Sequence, residues 1–126
     1  MASRTSLSRA RSLGAAKSGT KHFIAQRVTA IANVPLTVFF LVSMISLIGG
    51  DHADVVAFIA RPSVTICFLL AILSVAFHMR LGMQVVIEDY IHGEGMKIAA
   101  LLANLFFTIA IGFICVFAVL KIALTG

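Results

Sequence analysis

The sequence predicts an all-α membrane protein with three transmembrane helices. Apolar residues make up 60% of its 126 residues, and the mean hydropathy is +1.07, whereas apolar residues form a little under half of a soluble domain. Three long apolar stretches could each cross a hydrocarbon core of about 30 Å. Charged residues contribute only 12%. This composition argues against a soluble catalytic domain.

The chain begins with a basic segment, residues 1–21, which we predict to be a cytoplasmic tail. A basic segment beside a membrane span is first an orientation signal, because cytoplasmic loops carry an excess of Lys and Arg. We therefore expect no nucleic-acid partner, although the formal net charge is +5. Six of the ten basic residues precede or open the first apolar stretch: Arg4, Arg9, Arg11, Lys17, Lys21 and Arg27.

The membrane domain is predicted over residues 22–126, with its first span at about 28–50. Pro35 is expected in the first turns of that span, where a missing amide hydrogen costs least. Gly49 and Gly50 are expected to end it. A brief interfacial helix is predicted over Asp54 to Ala60.

The second and third spans are predicted at about 62–88 and 98–120. Pro62 stands at the favoured first position of the second helix. The run from Gly93 to Gly95 is expected to separate the two spans. Lys121 closes the third span.

Three crossings place the chain ends on opposite sides of the membrane. If the basic tail is cytoplasmic, Arg80 and Lys97 join it on that side, while Arg61 and Lys121 face the other. Since Lys and Arg counts decide orientation, we predict a cytoplasmic N-terminus and an external C-terminus.

The second span carries the residues with the most chemical information. At about 100° per residue, Gly82 lies roughly 40° around the helix from His78, and Asp89 returns to within about 20° of it. A metal-ligating imidazole, a position without a side chain and a carboxylate therefore share one stripe. Ionisable residues inside a membrane are expected to be functional.

Two interpretations of His78 remain open from the residues alone. It can hydrogen-bond a neighbouring helix, or it can be an axial ligand of haem iron. Gly82 favours a flat macrocycle beside the ligand, but glycine also permits close helix packing. No other histidine lies at a comparable depth, so a second histidine ligand must come from another chain. The haem interpretation therefore predicts an obligate partner.

Asp89 and Tyr90 fall where the second span reaches the cytoplasmic interface, about 16 Å along the axis from His78. Tyr90 is either an interfacial anchor or a hydrogen-bond donor to a quinone carbonyl. Asp89 can cap the loop, pair with a cation or deliver protons. Arg27, at the start of the first span, is either a positive-inside anchor or a partner for a haem propionate.

With these residues, the chain resembles the hydrophobic membrane anchor subunits of succinate dehydrogenase (respiratory complex II), specifically the smaller anchor of alphaproteobacterial type. The resemblance covers about residues 18–122. Its first motif is Ser18-Gly19 followed by His22-Phe-Ile-Ala-Gln26-Arg27-Val-Thr29-Ala30. Its second and more specific motif is His78-Met-Arg-Leu-Gly82-Met-Gln84-Val-Val-Ile-Glu88-Asp89-Tyr90-Ile-His92.

The resemblance implies half of a haem-binding helix bundle that a second membrane anchor (cytochrome b) subunit completes. His78 matches the axial ligand of haem b, and Arg27 and Gly82 match positions near the haem. Tyr90 and Asp89 match the ubiquinone site. The chain would be a non-catalytic anchor, in the bacterial inner membrane or, less expectedly, the mitochondrial one.

The same resemblance implies an iron–sulfur subunit and a flavoprotein subunit on the cytoplasmic side, where succinate is oxidised. Electrons then pass through the iron–sulfur clusters to ubiquinone at the membrane boundary.

Two rival functions stay open at this point. A fumarate reductase anchor would run the reaction in reverse. A small pore or transport subunit with no redox role would need polar residues along a path, but the third span offers only Asn104 and Thr108.

Overall fold

The computed structural model describes residues 15–126, which form four helices and, within that range, no strand. The helices are α1 (Ala15–Ser46), α2 (His52–Ile59), α3 (Pro62–Tyr90) and α4 (Glu94–Thr125). Three segments are long and apolar enough to cross a membrane: Gly19–Ser46, Pro62–Tyr90 and Glu94–Thr125. The predicted all-α, three-span architecture is confirmed. Residues 1–14 of the predicted tail lie outside the described range.

Helix α1 begins at Ala15, earlier than the first predicted span. Its opening residues include Ala, Lys, Gln and Arg, which favour helix even outside the hydrocarbon core. The prediction that Pro35 lies in the first turns is therefore wrong, because Pro35 lies in the helix interior. Membrane helices tolerate an interior proline better than soluble ones, since neighbouring groups satisfy the freed backbone carbonyl.

The end of α1 comes at Ser46, before the predicted Gly50. The Leu47 amide still donates to the Ser43 carbonyl over 3.2 Å. Gly49 then adopts a φ of +86°, a left-handed conformation that only glycine adopts without steric cost. The chain therefore turns at this glycine before α2 begins.

Helix α2 begins at His52, two residues before the predicted start. Asp51 is its N-cap, and its side chain accepts the Asp54 amide hydrogen over 3.0 Å. The Asp54 carboxylate in turn accepts the Asp51 amide hydrogen over 3.0 Å. This reciprocal capping box makes Asp54 the third residue of the helix rather than its first.

Helix α3 starts at Pro62, as predicted, and ends at Tyr90. A three-residue connection, Ile91 to Gly93, leads directly into α4. Glu94 and Gly95 were predicted to break the helices, but they form the first turn of α4. That helix is longer than the third predicted span at both ends.

Helix α3 lies between α1 and α4. It contacts both, while within the described range α1 and α4 do not contact each other, and α2 packs against α3 and α4. The α1–α3 pair also includes edge-on ring contacts of Phe68 with Phe39 and Phe40, at centroid distances of 5.7 and 6.1 Å. Few described side chains are buried: Ser43, Val64, Leu81, Ile87 and Thr108. Lipid or partner chains must therefore cover most of the apolar surface.

Candidate functional site

The helices α1 and α3 meet along a stripe of polar and small residues. On α1 the stripe has spacing i, i+3, i+7, and on α3 it has spacing i, i+4, i+8, so each half follows one helix face. The order of the contacts is reversed between the helices, as expected for an antiparallel pair. We call this stripe the polar seam; it comprises Gln26, Thr29, Asn33, Ser74, His78 and Gly82.

His78 and Thr29 contact each other at the centre of the polar seam. The Nδ1 atom of His78 lies 2.9 Å from the Thr29 hydroxyl oxygen. That hydroxyl also lies 2.8 Å from the carbonyl oxygen of Ala25 and 3.1 Å from that of Gln26. The structure thus gives His78 a polar partner on a neighbouring helix, which was the first of its two interpretations.

The other ring nitrogen of His78 remains available. Nε2 has no hydrogen-bond partner among residues 19–126, and it is not among the buried unpaired atoms in that range. The His78 side chain as a whole is half-buried. A half-buried imidazole that is held at Nδ1 and open at Nε2 fits an axial metal ligand, because ligating histidines bind a second group through the nitrogen that does not hold the metal.

Asn33 and Ser74 form the next contact of the polar seam, one turn of α3 before His78. The Ser74 hydroxyl donates to the Asn33 side-chain oxygen over 2.6 Å. In an apolar environment such an interhelical hydrogen bond contributes to helix association. It fixes the register in which Thr29 and His78 face each other.

Gly82 faces Gln26 at the other end of the polar seam. A Cβ atom added to Gly82 would lie 3.6 Å from Gln26 Nε2, which is ordinary van der Waals contact. A small side chain such as alanine would therefore fit between Gly82 and Gln26, whereas a larger one would have to displace Gln26. The structure does not show an open space at Gly82 that a macrocycle would fill. That Gly82 lies near the haem stays a prediction.

Two buried polar atoms near the polar seam lack a partner within the described range. They are Gln26 Oε1 and, four residues earlier on the same helix, His22 Nε2. Unpaired buried polar atoms are uncommon and usually mark a site for water or a ligand. Both lie on the side of the polar seam towards the chain's N-terminus.

Arg27 is separate from the polar seam. It is two residues from Thr29, so the two side chains leave α1 about 200° apart. The Arg27 guanidinium carbon lies 5.1 Å from the centre of the Phe23 ring, and both side chains are exposed. The structure does not bring Arg27 and His78 together. The long, exposed Arg27 side chain is free to bind an anion that lies outside the α1–α3 pair.

Asp89 and Tyr90 form the exposed end of α3. Tyr90 is 79% exposed, and Asp89 is also exposed. The residues lie about three turns beyond His78, roughly 16–18 Å along the axis. Closer to them, Gln84 donates to the Glu88 carboxylate over 2.9 Å. These residues therefore lie at one end of the helix bundle, where they are open to a ligand or partner.

The α3–α4 pair has its own polar contact. Asn104 donates from Nδ2 to the backbone carbonyl oxygen of Arg80 over 3.0 Å. Thr108, one turn later, is buried, and its hydroxyl has no partner in the described range. The Asn104 contact joins α4 to α3.

An apolar groove of about 330 Å³ runs over α3 between α1 and α4. Its position does not coincide with Tyr90, because its α3 residues end at Met79. We therefore do not assign it to the predicted quinone site. The side chains that shape it include Leu36, Phe40, Phe68, Ile72, Met79 and Cys115.

Within residues 19–126, no group of three or more His, Cys, Asp and Glu side chains is arranged to hold a metal ion. A metal bound by His78 must therefore receive its other ligands from outside these side chains. The four nitrogens of a porphyrin and one ligand from another chain meet that requirement.

No functional role was predicted from the sequence for Thr29, Asn33 and Ser74. Their signal was the helical spacing of polar residues within apolar stretches, since Thr29 and Asn33 are four apart, as are Ser74 and His78. That spacing identifies one face of each helix. It does not show which faces meet, and this requires the packing of α1 on α3.

Comparisons with known proteins agree on one family. The model of the family described as succinate dehydrogenase/fumarate reductase transmembrane subunit matches residues 1–119. The chain is 34% identical over 106 residues to the succinate dehydrogenase hydrophobic membrane anchor subunit of Rickettsia bellii, covering 84% of this chain and 85% of that one.

Two further relatives carry similar names. The succinate dehydrogenase hydrophobic membrane anchor subunit of Paracoccus denitrificans is 30% identical over 115 residues, which is 91% of this chain and 88% of that one. The succinate dehydrogenase membrane anchor subunit of Reclinomonas americana is 33% identical over 89 residues, 68% of this chain and 73% of that one. No solved structure matches the chain at a significant level.

Proposed function

This chain belongs to the succinate dehydrogenase/fumarate reductase transmembrane subunit family and is a multi-pass membrane anchor, and from that membership we propose its function within a complex. We propose that it anchors a succinate dehydrogenase, contributes one axial ligand to a haem b and forms part of a ubiquinone-reduction site. The names of the relatives favour this direction of the reaction over fumarate reduction. Family membership likewise favours an anchor over a pore.

The geometry of His78 is the observation that carries the haem proposal. Thr29 contacts its Nδ1 atom, and no side chain of residues 19–126 hydrogen-bonds its Nε2 atom. The imidazole is thus fixed at one nitrogen and open at the other. Haem b, when bound, takes up and releases one electron at a time, and this chain's share is to bind and orient it through His78.

Arg27 supports the proposal through charge rather than contact. It is a permanent cation on an exposed face of α1, near the membrane boundary. A guanidinium can form two parallel hydrogen bonds to a carboxylate, so Arg27 would neutralise a haem propionate. Its present contact with Phe23 is a surface cation–π contact, which is weak enough to be exchanged for a carboxylate.

Tyr90 and Asp89 support a quinone site at the end of α3. A lipid-soluble quinone must meet electrons that arrive from water-soluble subunits, so its site belongs at a membrane boundary. Tyr90 is 79% exposed at the end of α3, and its phenol would donate a hydrogen bond to a quinone carbonyl. The Asp89 carboxylate beside it would take up protons from water and pass them on as the quinone is reduced.

The proposal requires three partners. A second membrane anchor would supply the other axial ligand and cover the exposed apolar faces of α1 and α4. An iron–sulfur subunit and a flavoprotein subunit would dock on the side of Tyr90. From the excess of Lys and Arg we propose that this side and the N-terminus face the cytoplasm of a bacterium whose inner membrane holds the complex.

Optical spectroscopy of the complete complex tests the proposal. Dithionite reduction of the complex, purified with its partner subunits, should give the absorption bands of a six-coordinate b-type haem. A complex of the same composition whose reduced-minus-oxidised spectrum lacks these bands would refute the haem proposal.

A further inference from the structure

We propose that Thr29 is a positioning residue whose hydroxyl accepts a hydrogen bond from His78 Nδ1–H. In this arrangement Thr29 selects the tautomer that leaves the Nε2 lone pair free and makes that nitrogen a stronger electron donor. The inference rests on the proposed haem-binding function. It adds a role for a residue on α1 in setting the properties of a ligand on α3.

The donor and acceptor roles follow from the surroundings of the Thr29 hydroxyl. The group has one hydrogen and two lone pairs. Its oxygen lies 2.8 Å from the Ala25 carbonyl oxygen, which accepts and cannot donate. A threonine hydroxyl in a helix commonly donates to the carbonyl four residues earlier. With its hydrogen directed at Ala25, it can meet His78 only as an acceptor.

The tautomer of His78 follows from this assignment. In a neutral imidazole one nitrogen carries hydrogen and the other carries a lone pair. Since the hydroxyl 2.9 Å away accepts, Nδ1 carries the hydrogen. Nε2 then carries the lone pair, and this is the atom without a hydrogen-bond partner among residues 19–126.

The opposite hydrogen-bond direction between Thr29 and His78 would prevent His78 from binding a metal through Nε2. If Thr29 donated to Nδ1, the hydrogen would move to Nε2, which could then not bind a metal. The Ala25 and Gln26 carbonyl oxygens, at 2.8 and 3.1 Å, would also lose the hydroxyl as a donor. The two carbonyl groups of α1 therefore favour the ligating tautomer of His78 before any cofactor binds.

Two effects of this hydrogen bond are measurable. It orients the ring, and outer partners of this kind change metal affinity by about 10- to 100-fold. It also raises the basicity of Nε2, because partial loss of the Nδ1 hydrogen increases electron density in the ring. A more basic ligand stabilises ferric over ferrous iron and lowers the haem midpoint potential.

The experiment compares Thr29→Val with Thr29→Ser in the complete complex. Valine has nearly the shape of threonine but no acceptor, whereas serine retains the hydroxyl. Thr37→Val is a matched control, because Thr37 lies on the same helix, is exposed and is outside the polar seam. Haem content per complex and the haem midpoint potential are measured in redox titrations.

We expect Thr29→Val to weaken haem retention by about 10- to 100-fold and to raise the midpoint potential of the haem that remains. Thr29→Ser and Thr37→Val should keep the wild-type potential. A Thr29→Val complex with wild-type affinity and potential would overturn the inference, as would failure of serine to restore the potential in an intact complex.

If the complex that carries Thr29→Val does not assemble, a comparison of Thr29→Cys with Thr29→Ser tests the inference instead. Thr29→Cys keeps a weaker acceptor of similar size, so its haem potential should exceed that of Thr29→Ser. Equal potentials in these two variants would overturn the inference. The haem proposal fails separately: it falls if His78→Ala retains normal haem, whereas loss of haem there with an unchanged Thr29→Val contradicts only the role of Thr29.

Discussion

Ser74 donates a hydrogen bond to the side-chain oxygen of Asn33 over 2.6 Å and so joins α3 to α1 one turn away from His78. The contact lies on the same faces of the two helices as the one between Thr29 and His78. The polar seam thus joins the two helices at two successive turns. The position of His78 therefore depends on Asn33 and Ser74, to which no ligand-binding role is assigned.

A double-mutant cycle on Ser74 and Asn33 should measure this support. We expect Ser74→Ala and Asn33→Ala to be coupled by about 0.6 kcal/mol and by no more than about 1.7 kcal/mol, the range for hydrogen bonds between membrane helices. The measurement is the free energy of unfolding of the chain in micelles, by detergent titration of its far-ultraviolet ellipticity. Pairing Ser74→Ala with Thr37→Val should give no coupling, and equal coupling in both cycles would contradict the contact.

Gly82 should tolerate alanine but not leucine. An added Cβ would meet Gln26 Nε2 at an ordinary 3.6 Å, whereas a branched side chain would have to displace Gln26 or α1. We expect Gly82→Leu to lower the free energy of unfolding by about 1–3 kcal/mol, as overpacking does. Gly112→Leu is the matched control, because a Cβ there meets nothing within 4 Å. If both leucine variants behave alike, Gly82 is not a packing position.

His78→Ala should abolish or strongly reduce haem in the complex, because it removes the one ligand that this chain is proposed to supply. The measurement is Soret absorbance per mole of purified complex. His92→Ala removes an exposed histidine from the connection between α3 and α4 and should leave the absorbance unchanged. Normal Soret absorbance in His78→Ala would refute the assignment.

Tyr90→Phe should slow ubiquinone reduction while sparing succinate oxidation. The phenol is proposed to donate to a carbonyl that gains negative charge, and hydrogen bonds to charged groups contribute about 1.5–3 kcal/mol. We therefore expect the rate with ubiquinone to fall by about 10- to 100-fold. The rate with a water-soluble artificial acceptor is the internal control, and an equal fall in both assays would show that Tyr90 acts elsewhere.

The spans were predictable from the sequence because length and hydropathy decide whether a segment can cross a membrane. Helix ends were less predictable, because they depend on local hydrogen bonds. Asp51 rather than Asp54 caps α2, since the two carboxylates cap each other's amides. Pro35 was misplaced because the polar opening of α1 is helical as well, a property that a hydropathy pattern does not report.

The candidate site was predictable only in part. His78 stood out as an ionisable group inside an apolar helix, whereas Thr29 is an ordinary residue in a membrane span. Its importance arises from α1 packing on α3 in one register, with atoms 49 residues apart in sequence at 2.9 Å. No periodicity within a single helix carries that information.

The central place of α3 restricts how this chain can vary. One side of α3 fits α1, another fits α4, and α2 also packs against it. Substitutions on α1 or α4 have a broad outward face on which one apolar residue can replace another, while a smaller share of α3 is exposed. In a saturation library, the helix that carries His78 should therefore be the least permissive of the three spans, at positions far from His78 as well as beside it.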